Sequence, residues 1–320
     1  MPEQNVVGEF DSLRIDDSTK HSLDRKTQYF PAADHENLTL SDFVDKYCDN
    51  NQDVLDVNGI PLQTRDELLK HNPVGLFRPI TRLKKSGKLE KMALEIFDNI
   101  CSVINSGEFG LGFKLCFFGI KYPQLRDEIY LQICKQVTKN NNLYINNWIR
   151  VLINGWTLMT MCTSCFPPSL DLRAYLLAFF SDRETHETSS DVQNLISKSI
   201  DNVLTNGNRC RRVPLTQIEF YAEQRNNPLF CKIIFMNGKT TSFELESTLT
   251  FGRMTQNLCE SFNLGDYKRW EMYLIVDGEW KLLKREQFFF DVLFENFMTD
   301  EGLVPISKST LSELCIKNLF

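Results

Sequence analysis

The sequence predicts an α+β protein in which an all-helical bundle domain is followed by a small ubiquitin-like β-grasp domain. Apolar residues recur with helical spacing up to about residue 212. After residue 212, two sequence patterns that are typical of β-hairpins follow. Hydrophobic residues make up 42% of the 320 residues, which is enough for two cores. Because charged residues make up only 24%, a wholly disordered chain is excluded.

Residues 1–39 are predicted to be a disordered acidic N-terminal tail, since they carry few large apolar side chains and no sustained period. Met1–Phe10 has neither a basic start nor an apolar stretch, so we expect no secretory signal. No apolar run approaches the ~18 residues of a membrane helix. We therefore expect a cytoplasmic protein whose ten scattered cysteines are buried thiols.

Residues 40–212 are predicted to form the helical domain. A first helix begins after Leu40, and a second covers 89–104, where seven apolar residues share one face. Three glycines are predicted to break the pattern there, namely Gly107, Gly110 and Gly112.

The rest of this domain contains four more predicted helices. One begins near Pro123, and the next, from Asn146 to Met161, is apolar nearly all round, so it should be the buried central helix. Ser169 suits the N-cap of the helix that follows Pro167 and Pro168. A final helix is indicated by the spacing of Val192, Leu195, Ile196, Ile200 and Val203.

Residues 213–320 are predicted to form the β-grasp domain. Asn237-Gly238 and Asp277-Gly278 each separate two apolar-rich runs, which is typical of tight β-hairpins. An amphipathic helix is predicted between the hairpins, and 311–320 could supply a last strand. Hairpin, helix, hairpin and strand is the order of a β-grasp fold.

No catalytic, cofactor or metal site is predicted. The four histidines are scattered without helical or ligand spacing. Cys162 and Cys165 have zinc or redox spacing, but no second ligand pair stands nearby, so packed thiols are favoured. Gly238-Lys239-Thr240 lacks the first glycine of a phosphate loop.

Charge is distributed unevenly along the chain. Residues 61–212 carry 20 basic and 14 acidic side chains, whereas the segments before and after them have net charges of −8 and −4. Two basic clusters are candidates for binding an anionic partner such as an acidic protein tail or lipid headgroups; the alternative is a merely solvated face. Nucleic acid is disfavoured, since no aromatic residues interleave with the basic ones. The candidate partner-binding residues are Arg78, Arg82, Lys84, Lys85, Lys88, Arg209, Arg211 and Arg212.

Two motifs then resemble the signature of the myosin tail homology 4 domain. The first is Leu125-Arg126-Asp127-Glu128-Ile129-Tyr130, continued by Gln132 and Cys134-Lys135-Gln136; the second is Gly155-Trp156 followed by Phe166-Pro167-Pro168-Ser169. We interpret these residues as fold-specifying: the charged ones are expected to lock one another and nearby helix ends through hydrogen bonds, and Gly155 beside Trp156 permits a close helix crossing.

In that family the helical domain is followed by a FERM region whose first lobe is ubiquitin-like, and residues 213–320 are similar to that lobe. The sequence ends before the second and third lobes. The resemblance implies a non-catalytic cytoskeletal adaptor without cofactors, which binds microtubules or cytoplasmic tails of cargo proteins. It equally leaves open a small-GTPase-binding module, because the β-grasp domain resembles Ras-association domains.

Overall fold

The computed structural model describes residues 38–48, 54–55, 61–63, 68–72, 75–83, 87–139, 146–225, 227–276, 278–297 and 314–318. The predicted acidic tail lies outside the described residues except for its last two positions. From Leu38 onward the chain forms one compact unit.

The first part of this unit is helical in its described residues, apart from the short strands β1 (Val54–Leu55) and β2 (Pro61–Gln63) and a 3-10 turn at Pro123–Leu125. The helices are α1 (Leu40–Tyr47), α2 (Gly87–Ser106), α3 (Gly110–Lys121), α4 (Arg126–Val137), α5 (Trp148–Cys165), α6 (Leu170–His186), α7 (Ser190–Asn206) and α8 (Gln217–Gln224).

Helix α5 is the buried centre of the bundle and contacts α2, α3, α4 and α7. Trp156 is 1% exposed and packs against Phe179 and Phe180 of α6. Gly155 lets α4 come close, because a Cβ there would lie 2.4 Å from Val137 Cγ1. The predicted close helix crossing beside a large buried ring is therefore confirmed.

Of the three glycines that were predicted to break the helical pattern, only Gly107 ends a helix. Gly107 does end α2, with a φ of +78°. Gly110 and Gly112, however, lie inside α3. A Cβ on Gly112 would lie 3.0 Å from Met161 Cε of α5, so this glycine permits close helix packing instead of ending a helix.

A five-stranded sheet follows the helices, and we call this region the lobe. Its strands are β3 (Leu229–Phe235), β4 (Thr240–Leu245), β5 (Trp270–Val276), β6 (Glu279–Leu283) and β7 (Leu314–Asn318), and its helices are α9 (Phe251–Ser261) and α10 (Phe289–Phe297). The strand order is β4-β3-β7-β5-β6; β7 is parallel to β3, and the other pairs are antiparallel. This is the β-grasp arrangement, so the predicted fold class is confirmed.

Both predicted hairpins form, and positive φ values at their glycines explain why. Gly238 has φ +79° between β3 and β4, and Gly278 has φ +83° between β5 and β6. The predicted amphipathic segment is α9, which buries Met254 and Leu258 against the sheet in the same core as Ile233.

Two short helices, α8 and α10, were not predicted. α8 begins with a capping box between Thr216 and Glu219, and its Phe220 ring lies 5.1 Å from that of Phe109. α10 supplies Phe289 and Phe290 to the core of the lobe. Because α8 packs on the helical part, the domain boundary after residue 212 stays a prediction.

Candidate partner-binding surface and domain junction

A buried carboxylate holds the backbone of the basic segment, as we call residues 78–88. The Glu128 oxygens accept hydrogen bonds from Ile80 N–H at 2.8 Å, Thr81 N–H at 2.6 Å and Thr81 Oγ1 at 2.6 Å. Gln132 Nε2 donates a further bond at 2.7 Å. Burial raises the pKa of Glu128, and these hydrogen bonds oppose that rise. The middle of the basic segment is thereby fixed to α4.

The end of α4 holds the residues before the basic segment. Lys135, although 1% exposed, donates from Nζ to Lys70 O at 2.8 Å, and Gln136 Nε2 donates to Asn72 O at 3.1 Å. His71 Nδ1 lies 2.9 Å from Gln136 O. These signature residues act on non-helical backbone, which supports their fold-specifying interpretation.

Arg126 and Asp127 bind helix ends, as predicted, whereas Glu128 binds the non-helical backbone of Ile80 and Thr81. Arg126 Nε donates to Gly119 O near the end of α3 at 2.7 Å. Asp127 Oδ1 accepts from the backbone N–H of Ser169, the N-cap of α6, at 2.8 Å. Both side chains therefore connect neighbouring helices.

The basic segment presents part of its predicted charge to solvent. Arg82 and Lys88 are exposed, and Arg78 is half-buried. Lys88 lies in the first turn of α2, where the positive end of the helix dipole opposes a cation. Lys84 and Lys85 lie outside the described residues. Of the exposed cations, Arg82 directly follows the backbone that Glu128 anchors, and Lys88 lies on α2.

The second cluster, Arg209 with Arg211 and Arg212, which we call the arginine run, corrects the prediction at its central member. The Arg211 side chain is fully buried and forms ion pairs with Glu219 at 2.7 Å and Asp291 at 3.3 Å. Burial would lower the pKa of Arg211, but the two carboxylates outweigh burial and raise it. Arg211 is therefore inaccessible to a surface partner, because neighbours within the chain already use its charge.

The Asp291 carboxylate also joins the lobe to the backbone that follows Arg211. Its Oδ2 accepts from Arg212 N–H at 2.8 Å, and its Oδ1 accepts from Val213 N–H at 3.3 Å. On the other side, Arg211 N–H donates to Cys165 O of α5 at 2.8 Å. The helical part and the lobe are thus docked at this junction.

The outer members of the run remain at the surface. Arg212 is half-exposed and pairs with Glu295 of α10 at 3.0 Å. Arg209 is exposed, and its guanidinium donates to Thr205 O within the last turn of α7. The structure therefore brings Arg211 and Arg212 together around Asp291.

Sequence reasoning missed the acidic partners Glu219 and Asp291. The spacing of Thr216 and Glu219, a threonine followed three residues later by a glutamate, was an available signal for a helix start. Nothing local marks Asp291, because its role depends on a contact 80 residues away in sequence.

Most of the described cysteines are buried, as predicted, but Cys101 and Cys210 are half-buried. Cys162 and Cys165 are buried in the last turns of α5, and burial raises the pKa of Cys165 well above its usual range. Within the described ranges, no group of His, Cys, Asp and Glu side chains is placed to hold a metal ion. No helix in that same part of the chain is long and apolar enough to cross a membrane.

Comparison with protein families gives two matches in this order along the chain. Residues 114–222 match the MyTH4 domain, and residues 227–301 match the RA-like domain. The first range contains both signature motifs and most of α8, and the second contains β3 to β6.

Known relatives extend the comparison to larger proteins. Myosin-VIIa of Drosophila melanogaster is 31% identical over 158 residues, which are 49% of this chain and 7% of that protein. The MyTH4-FERM MF1 domain of Dictyostelium discoideum myosin VII has a TM-score of 0.67 at 19% identity, over 88% of this chain and 56% of that structure. The C-terminal MyTH4-FERM domain of human myosin 7b, solved in complex with the harmonin-a PDZ3 domain, has a TM-score of 0.58 at 22% identity, over 88% and 55%.

Proposed function

Because this chain carries a MyTH4 domain followed by an RA-like domain, we propose that it is a non-catalytic adaptor that binds partner proteins at the cytoskeleton. The order of the two domains is the observation that carries this proposal. One structural neighbour with the same order was solved with a partner domain bound. The chain spans only about 7% of the length of its myosin-VIIa relative, so the partners of the whole protein belong to this proposal too.

The finer proposal is that the basic segment binds the acidic surface of microtubules. Arg82 is exposed next to the backbone that Glu128 holds in place, and Lys88 is exposed in the first turn of α2, so these two cations need little ordering on binding. Lys88 also sits where helix stability would favour an acidic residue. A cation that the fold itself does not need is available to an anionic partner.

Microtubule cosedimentation of the full chain at increasing salt tests this proposal. We expect binding at low ionic strength that weakens steeply towards physiological salt, where charges are screened over about 8–10 Å. Reversing four charges of the basic segment, with Arg82→Glu, Lys84→Glu, Lys85→Glu and Lys88→Glu, should abolish binding. The unmodified chain should likewise not bind protease-treated microtubules that lack the acidic tubulin tails.

A control variant separates the basic segment from net charge. Lys232, Lys239, Lys268 and Lys281 are exposed in the lobe, and changing all four to glutamate alters the net charge equally. This variant should still bind microtubules at low salt. If both variants lost binding alike, only overall charge would matter, and the basic segment would have no specific role.

A second candidate function is binding of a small GTPase through the lobe. The match to the RA-like domain favours it, and β4 pairs only with β3 among the described strands, which leaves an open sheet edge. Pull-downs with GTPases loaded with GDP or a GTP analogue test it. Capture that depends on the GTP analogue, and that Phe243→Pro in β4 removes, would make this the leading function.

A further inference from the structure

A row of aromatic rings crosses from α3 to α8 and is open to solvent at both ends. In its middle, the Phe220 ring of α8 lies 5.6 Å from that of Phe113 in α3. Tyr221 lies 5.4 Å from Phe220 and is 48% exposed. Phe117, one helical turn beyond Phe113, is 42% exposed. The ends of this row therefore offer large apolar surface.

Ile218 widens the open end on α8. It lies three residues before Tyr221, on the same helical face, and is 42% exposed. That face points away from Glu219 and Phe220, which are buried. Aromatic and aliphatic side chains exposed side by side are enriched at sites of protein contact.

Cations lie over the exposed rings. Lys121 Nζ is 5.1 Å from the centroid of Phe117 and 5.7 Å from that of Tyr122, and Arg225 Cζ is 5.3 Å from that of Tyr221. Neither Lys121 nor Arg225 forms a salt bridge within the described part of the chain. Both positive charges therefore face solvent without an acidic neighbour to neutralise them there.

We propose that this surface docks a peptide segment of a partner protein in which acidic residues alternate with large apolar ones. We call it the α3–α8 surface, formed by Phe117, Lys121, Ile218, Tyr221 and Arg225. The apolar side chains of the segment would cover the exposed rings, and its carboxylates would pair with Lys121 and Arg225. Charge complementarity selects this occupant, because a basic peptide would be repelled and a neutral one would leave both cations unpaired.

This surface is distinct from the basic segment and goes beyond the proposed function. The basic segment offers charge to a polyanion, whereas the α3–α8 surface offers apolar anchors with only two cations. Single-stranded nucleic acid also stacks on exposed aromatic rings. Two cations are few for a groove that tracks a phosphate backbone, so the peptide is favoured and nucleic acid becomes an outcome of the test.

Fluorescence anisotropy with the full chain provides the test. The probe is a fluorescein-labelled synthetic peptide in which glutamates alternate with leucine and phenylalanine. We expect Lys121→Glu and Tyr221→Ala each to weaken binding about tenfold, as loss of one central contact does at other interfaces. The matched controls, Lys268→Glu and Trp280→Ala, change exposed residues in the lobe and should bind like the parent.

Three further probes decide what the α3–α8 surface recognises. An oligoglutamate without apolar residues should bind much more weakly, and a version with lysine in place of glutamate should not bind. Thermal melts monitored by circular dichroism test whether each variant is folded. Lys121→Glu removes no aromatic side chain, so it changes only the charge of the surface. The proposal fails if the parent does not bind the acidic–apolar peptide, if the two variants bind it as the parent does, or if oligothymidylate binds more tightly and displaces it.

Discussion

The basic segment and the arginine run are both clusters of basic residues, but the fold gives their members different environments. In the basic segment, Arg82 is exposed next to the backbone that Glu128 fixes, and Lys88 is exposed on α2. In the arginine run, the Arg211 side chain is fully buried between Glu219 and Asp291. A basic cluster in the sequence therefore does not show whether its cations reach the surface, because the folded chain can enclose one of them between its own carboxylates.

The two clusters should also differ in how much stability the protein loses when one of their cations is removed. Removing one member of a buried ion pair leaves the other charge unpaired in the interior, whereas removing an exposed cation leaves solvated neighbours. Stability measurements can therefore sort the two clusters without any knowledge of the partner.

The largest effect is expected at Arg211. Arg211→Met keeps most of the side-chain volume but leaves Glu219 without its cation and Asp291 with only the more distant Arg212, so it should lower the free energy of unfolding by about 3–5 kcal/mol. Urea unfolding followed by circular dichroism measures this. The matched change Arg209→Met, at the exposed end of the same run, should stay within about 0.5 kcal/mol. Equal effects of the two changes would contradict the contrast between buried and exposed arginines.

A smaller loss is expected at Glu128. In Glu128→Gln, the amide can accept through only one oxygen, so a backbone N–H of Ile80 or Thr81 loses its partner. The expected cost is about 1–3 kcal/mol in urea unfolding. Hydrogen exchange at these two amides should quicken more than exchange in the lobe. Unchanged protection at Ile80 and Thr81 would mean that the basic segment is not held by Glu128.

A gain is expected at the exposed cluster. Lys88 lies in the first turn of α2, where a glutamate would interact favourably with the helix dipole. Lys88→Glu should therefore raise the free energy of unfolding, measured in thermal melts, by ~0.3–1 kcal/mol. The same change at Lys91, further into α2, should gain less. A loss of stability in Lys88→Glu would show that Lys88 has a structural role, as Arg211 does.

The smallest effect is a pH dependence at His71, in the residues that precede the basic segment. Burial lowers the pKa of His71 below its usual 6.5; nearby Lys135 adds to this, and the hydrogen bond with Gln136 O opposes it. Below pH 6.5 the unfolded chain therefore binds a proton that the folded chain does not yet bind, so stability falls as pH decreases. Subtracting the unfolding curves of His71→Gln from those of the parent, between pH 8 and 5.5, isolates this contribution. A difference that does not change with pH would indicate an unshifted histidine.

Much of the fold could be predicted because it depends on local pattern. The stripe of α2, the all-round apolar α5 and the turns at Gly238 and Gly278 each follow from spacing or backbone freedom within a few residues. The glycines of α3 could not be interpreted this way, since Gly112 serves a contact with Met161 on another helix. The short helices α8 and α10 were missed, although α1, which is as short as α8, was predicted.

The sequence by itself determined the order of the two domains, through the two MyTH4 motifs and the hairpin-rich pattern that follows them. It also determined which residues carry charge. Only the tertiary structure decided which charges remain available, because burial and pairing depend on residues distant in sequence. Glu128 reaches back 47 residues to Thr81, and Asp291 reaches back 80 residues to Arg211. A run of basic residues in the sequence indicates that a segment could bind an anionic partner. The contacts that the folded chain makes with this run decide whether its cations are already paired within the protein.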